Sequence, residues 1–212
     1  MKRMQLTDQL TIFTRYPEPG HTKTRLINAL GEEGAATLQK ELTEQTVQKV
    51  DQLVKTSTVE PVICFEGGDL VSMQNWLGPD RRYHQQGHGD LGEKLKKSFN
   101  DAFSAGALRV VTIGCDCPGL SKEIIGRAFD ALYLKDLALG PATDGGYYLI
   151  GIKYPIDALF EDISWGTDKV LEKTVSLAQQ LGLSIEILKE LHDVDRPEDL
   201  KYLNNHPDPQ RS

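Results

Sequence analysis

RVVTIGCDCPGLS, Arg109 to Ser121, joins a short β-branched run to an aspartate, a proline and a glycine. So short an apolar run, rich in valine and isoleucine, reads as a buried strand, and Pro118 and Gly119 close it before a helical pattern starts after Ser121. Asp116 therefore falls at the carboxyl end of a central strand, where open α/β sheets bind their ligands. A carboxylate there suits Mg²⁺ or Mn²⁺, because hard cations prefer oxygen ligands and share them with substrate phosphates. Capping of the turn before the helix is the competing, lesser reading of Asp116.

On either side, similar runs alternate with longer amphipathic segments, the pattern of a layered α/β domain. Strands are expected at Leu10–Thr14, Glu60–Glu66, Arg81–Gln85, Arg109–Gly114, Leu137–Ala142, Tyr147–Ile152 and Ser184–Leu188. Helices are expected at Glu33–Leu53, Leu91–Ala105, Lys122–Leu132, Asp168–Leu181 and Pro197–Asn204. The turn Asp144-Gly145-Gly146 should join antiparallel neighbours, which makes the sheet mixed. One domain over residues 1–205, with a frayed tail at 206–212, accounts for the chain.

Composition narrows the function. The 212 residues are 39% hydrophobic and 26% charged with a formal net charge of -7, so a soluble globular protein is expected rather than a nucleic-acid binder. Any phosphate must then be held by a local cluster of cations. Three cysteines, Cys64, Cys115 and Cys117, lack the partners of a tetrahedral zinc site and read as reduced thiols. No signal peptide and no run of the ~20 apolar residues that span a membrane is present, which points to the cytoplasm.

The loop after the first strand, RYPEPGHTKTRL, gathers Arg15, Lys23 and Arg25 beside two prolines and a glycine. Such a loop can aim cations and backbone amides at one phosphate, although a solvated basic loop has the same composition. It is not a P-loop, because no glycine stands immediately before Lys23 or five positions further back. In LHDVDRPEDL, alternation turns Asp193 and Asp195 to one side, as a carboxylate pair facing a cation requires; Asp195 also suits a helix cap. In QQGHGDLGEKL, glycines surround Asp90 where a helix begins, a weak phosphate or base signal by itself. Asp144 on its glycine turn fits a plain hairpin or a carboxylate facing a cleft. An aspartyl nucleophile at Asp116 is disfavoured, since the position of its usual partner acid is Pro118.

Taken in order, FTRYPEPGHTKTRL, QGHGDLGEKL, IGCDCPGL, GPATDGGYYLIGI, SWGTDKVLEKT and DVDRPEDL resemble the GT-A-type nucleotide-sugar transferases and nucleotidylyltransferases. The likeness is marked toward an uncharacterised bacterial glycosyltransferase-like family related to phospholactate guanylyltransferase. It implies a three-layer α/β/α GT-A fold with a mixed, mainly parallel sheet. It further implies that Arg15, Lys23 and Arg25 bind phosphates, that Asp116 and Asp195 hold the metal, and that Gln86, Gly89 and Asp90 meet the base and ribose. Asp144, Gly145, Gly146 and Trp165 then belong to the acceptor or sugar side, with Asp144 orienting or deprotonating an acceptor hydroxyl. Two departures limit the parallel. The glycine-rich signature of sugar-nucleotide pyrophosphorylases is replaced by a proline loop, and the common Asp-x-Asp is reduced to Asp116-Cys117-Pro118.

The expected activity is transfer of a glycosyl group from a nucleoside-diphosphate sugar to a small acceptor, with Mg²⁺ or Mn²⁺. Nucleotidylyl transfer from a nucleoside triphosphate to a phosphorylated molecule is the alternative, and a non-catalytic nucleotide-binding module is the second.

Overall fold

The computed structural model describes residues 7–205. The expected tail at 206–212 lies outside them. Seven strands form one sheet: β1 (Gln9–Arg15), β2 (Glu60–Glu66), β3 (Arg82–Gln85), β4 (Val110–Ile113), β5 (Leu137–Pro141), β6 (Tyr147–Ile152) and β7 (Ile185–Ile187), in the order β3-β2-β1-β4-β6-β5-β7. β1 runs parallel to both β2 and β4, β3 parallel to β2, and β7 parallel to β5. β6 alone runs against its neighbours β4 and β5. Its reversal follows from the short Asp144-Gly145-Gly146 turn, which leaves no length for a crossover.

Five α-helices cover the sheet: α1 (Ile27–Val54), α2 (Leu70–Leu77), α3 (Leu91–Ser104), α4 (Lys122–Ala131) and α5 (Val170–Gln180). Alternation along the strands sorts their side chains into two cores. Val111 and Ile113 pack with Val47 and Val50 of α1, Met73 of α2 and Ile125 and Phe129 of α4. On the other face Val110 packs with Leu95 and Phe99 of α3 and Ala178 of α5, joined by Ile150 and Ile152. The result is the expected three-layer α/β/α fold with a mixed, mainly parallel sheet.

Three details differ from the sequence expectation. α1 starts six residues before Glu33 but bends at Gly31, whose backbone leaves the helical region (φ 73°, ψ 170°). α2 was not expected, being short and showing Leu70 and Val71 to solvent; Asp69 starts it by accepting from the Ser72 amide at 2.7 Å. The C-terminal helical pattern winds as a 3₁₀ helix over Pro197–Asn205.

Candidate functional site

The carboxyl ends of β1 and β4 open into a cleft of about 450 Å³ lined by Lys23, Asp116, Asp144, Tyr147 and Asp193, among others. Parallel strands separated by crossovers leave their carboxyl-end loops diverging, which is why a crevice forms here. Lys23 is its most constrained cation. Its backbone is left-handed (φ 46°, ψ 48°), an unfavourable region for a side-chain-bearing residue. The side chain is only 3% exposed, and its Nζ donates to Asp116 Oδ1 at 2.6 Å and to the Val194 carbonyl at 2.7 Å. The Val194 amide in turn donates to the Asp116 carbonyl at 2.8 Å. Val194 is fully buried, while Asp193 and Asp195 on either side both line the cleft.

Arg25 and Arg15 are also paired. Arg25 donates to Asp195. Arg15 donates to Glu66 Oε2 at 2.6 Å and to the His21 carbonyl at 3.2 Å, and Lys94 takes the other Glu66 oxygen at 3.0 Å. Both cations hold the Glu66 carboxyl below the usual range, outweighing its burial. Asp193 goes the other way, pushed up to about 6 first by burial and then by the negative charge of Asp144, with Asp199 and Asp116 adding to it.

Asp144 lies on the β5–β6 turn and accepts from the Gly146 amide at 2.8 Å. Gly145 is required there: its φ is +89°, and a Cβ would lie 2.1 Å from the Asp168 carbonyl oxygen. Trp165 leans on the start of α3, where a Cβ at Gly92 would lie 2.4 Å from its ring nitrogen, and meets Tyr147 edge-on at 6.3 Å. A second cavity of about 500 Å³ shares Asp144, Gly166, Thr167, Asp193 and Asp195 with the first and reaches Arg25, Asp168 and Arg196.

Of the residues singled out in the sequence, Arg15, Lys23, Gln86, Asp116, Asp144, Gly146, Trp165 and Asp195 line the first cavity, and Arg25 lines the second. Gly89, Asp90 and Gly145 line neither; Asp90 instead caps α3, accepting from the Glu93 amide at 3.0 Å while Glu93 accepts from the Asp90 amide at 3.2 Å. Glu66, Lys94 and Gln39 were not anticipated. Glu66 ends β2 in the same way that Asp116 follows β4, a positional signal that EPVICFE does carry. The three cysteines are free and buried, and burial pushes the Cys64 thiol up to about 11 and Cys115 up to about 12.

This sheet order, with its reversed β6 and its cleft beyond β1 and β4, is the nucleotide-diphospho-sugar transferase fold. The chain belongs to the bacterial family described as "Uncharacterized protein conserved in bacteria (DUF2064)", whose profile matches residues 47–167. A crystal structure from Desulfovibrio desulfuricans G20, described as a candidate nucleotide-diphospho-sugar transferase, is 32% identical, with a TM-score of 0.89 over 98% of this chain and 90% of that one. The same fold occurs in 4-diphosphocytidyl-2C-methyl-D-erythritol synthase from Anaerococcus prevotii DSM 20548, at 13% identity and a TM-score of 0.60 over 94% of this chain and 96% of that one. It occurs too in glucosyl-3-phosphoglycerate synthase from Mycobacterium tuberculosis, solved with Mn²⁺, UDP and glucosyl-3-phosphoglycerate, at 13% identity and a TM-score of 0.58 over 94% and 75% of the two chains. No curated protein matches the chain. Among the described residues no helix is long and apolar enough to cross a membrane.

Proposed function

We propose that this protein is a transferase that binds a nucleoside-diphosphate sugar, with Mg²⁺ or Mn²⁺, and passes the glycosyl group to a small acceptor. The observation that carries the reading is the meeting, at the carboxyl edge of the sheet, of a buried lysine with the carboxylates of Asp116, Asp193 and Asp195. The likeness to the Desulfovibrio desulfuricans structure supports the donor class.

The donor set suits a hard divalent cation. Asp116, Asp193 and Asp195 offer carboxylate oxygens; burial first, and then the negative charge of Asp144, raises Asp193, and a cation would offset the second of these. Among the described residues no three His, Cys, Asp or Glu side chains stand close enough to hold a metal by themselves, so the proposed ion would need waters or donor phosphates as further ligands. Once bound, the metal would lend Lewis-acid charge to the departing diphosphate.

The chain's own groups do the rest. Lys23 lines the cleft from a dry position, and a phosphate would reach its charge by competing with Asp116 and the Val194 carbonyl for the ammonium. Arg15 adds charge from the rim of the first cavity and Arg25 from the second. Asp144, shared by both cavities, is placed to accept the proton of an acceptor hydroxyl. As the acceptor oxygen bonds to the anomeric carbon, the bond from that carbon to the phosphate oxygen breaks and the nucleoside diphosphate leaves with the electron pair.

The second cavity favours sugar transfer over nucleotidylyl transfer to a phosphorylated acceptor. Its acids Asp144, Asp168, Asp193, Asp195, Glu198 and Asp199 outnumber Arg25 and Arg196, so an anionic acceptor would be repelled. Product analysis with Mn²⁺ tests the reading. Release of a nucleoside diphosphate from a sugar nucleotide is expected, whereas pyrophosphate released from a nucleoside triphosphate would replace it with nucleotidylyl transfer. Nucleotide binding with neither product would leave a non-catalytic module.

A further inference from the structure

Lys49 lies on α1, half-buried, and lines neither cavity. Its Nζ donates to the Pro118 carbonyl at 2.9 Å, and it has no carboxylate partner among the described residues. Burial pushes the ammonium below the usual lysine range. The thiols beside it, Cys115 and Cys117, are themselves pushed up by burial and offer no charge to pair with it. Desolvating a cation against one neutral acceptor is costly, and the Pro118 carbonyl is the group among the described residues that this cation fixes.

That carbonyl belongs to a tight turn. The Leu120 amide donates to the Cys117 carbonyl at 3.0 Å, which makes Pro118–Gly119 the central peptide. Proline followed by glycine suits a type II turn, in which the glycine is left-handed. Gly119 is not one of the left-handed glycines among the described residues, so the turn has the type I sense. The two types differ by a half-rotation of the central peptide, which carries its carbonyl from one face of the turn to the other. Lys49 therefore grips the group that tells the two turns apart. Just ahead of the turn stand Cys117, which is buried, and Asp116, whose carboxylate meets Lys23 and whose carbonyl accepts from the Val194 amide.

We propose that Lys49 is a positioning residue: by fixing the Pro118–Gly119 peptide in the type I sense, it keeps the loop from Cys115 to Leu120 in one conformation and Asp116 aimed into the cleft. The inference rests on the reading of Asp116 as part of a nucleotide and metal site. Without the ammonium the turn is free to flip to type II, where glycine is at ease at positive φ, and Asp116 is then shared between two positions.

The test compares wild type, Lys49→Met, Gly119→Ala and the double variant. Each is melted, and each is titrated calorimetrically with Mn²⁺ and the nucleoside diphosphate that wild type binds most tightly. Lys49→Met should bind about tenfold more weakly. Alanine is strained at positive φ but not at negative φ, so Gly119→Ala should melt no lower than wild type and bind as tightly. In the double variant alanine closes the type II alternative, so most of the lost affinity should return even though the chain melts lower than Lys49→Met. A merely structural loss at Lys49 does not move affinity and melting in opposite directions. A double variant as weak as Lys49→Met, or a Lys49→Met chain that binds as wild type does, would overturn the inference. Should Lys49→Met fail to fold, Lys49→Arg and Lys49→Gln replace it: the first keeps a long donor and should bind as wild type, the second is too short and should lose about tenfold, and equal binding by both would overturn the inference. If wild type binds no nucleoside diphosphate, the functional reading and the positioning role fall together, while the melts still report the sense of the turn.

Discussion

On the β1 side of the cleft the carboxylates are answered by cations, Lys23 on Asp116 and Arg25 on Asp195, whereas on the β6 side Asp144 acts on Asp193 and neither has an ion pair among the described residues. The first wall is held by ion pairs that a phosphate could take over. In the second, burial and then the like charge of Asp144 push Asp193 up. On the proposed reading, a nucleotide with its metal would answer both walls, its phosphates competing for the paired cations and the ion offsetting the acids.

The sharpest way to break the contrast is Gly145→Ala. The new methyl would press on the Asp168 backbone in a conformation that L residues avoid, so a loss of about 3 kcal/mol in chemical denaturation is expected. A stability unchanged from wild type would show that the acidic wall is not fixed by this turn. Next, Lys23→Met should weaken nucleotide binding by about 10–100-fold, the range of charge-assisted contacts, while Mn²⁺ without nucleotide should bind more tightly. Calorimetry reads both, and unchanged nucleotide affinity would remove Lys23 from the phosphate side.

A milder change acts on the repulsion itself. The native Asp193 carboxyl titrates at about 6, above the usual value, so between the two values the folded state holds a proton that the unfolded state has released. The contribution of this one carboxyl to stability therefore falls as the pH rises from the ordinary carboxylate range to about 6, and is level above that. Asp193→Asn should melt a few degrees higher than wild type at pH 8 and level with it at pH 4; equal melting at both would deny the crowding. The smallest effect is expected for Arg25→Ala. Its pair with Asp195 is largely open to water, so folding stability should change by no more than about 1 kcal/mol.

The sequence disclosed the compensated wall better than the acidic one. Lys23 and Asp116 stand out locally, as a cation on a proline-shaped loop and an acid after a buried strand. The repulsion at Asp193 cannot be read that way, because Asp144 and Asp116 come to it from other loops. Glu66 was overlooked since one acid ending EPVICFE has no local companion; Arg15 and Lys94 reach it only in the folded chain. Lys94 itself looks like any polar-face lysine of α3. Among the elements, β2 and β6 were legible to the residue because each is a bounded apolar run. α2 escaped because eight residues with exposed Leu70 and Val71 give the helical period too little length.

Val194 is held at both ends of its backbone, its N–H by the Asp116 carbonyl and its C=O by the Lys23 ammonium. It sits in a stretch with no helix or strand of its own, where amides ordinarily trade protons with water quickly. The Val194 amide should instead exchange deuterium as slowly as the centre of β4. Because Lys23 supplies half of the clamp, a phosphate that draws this ammonium away would loosen the segment, and occupancy of the cleft would register as faster exchange at that one peptide.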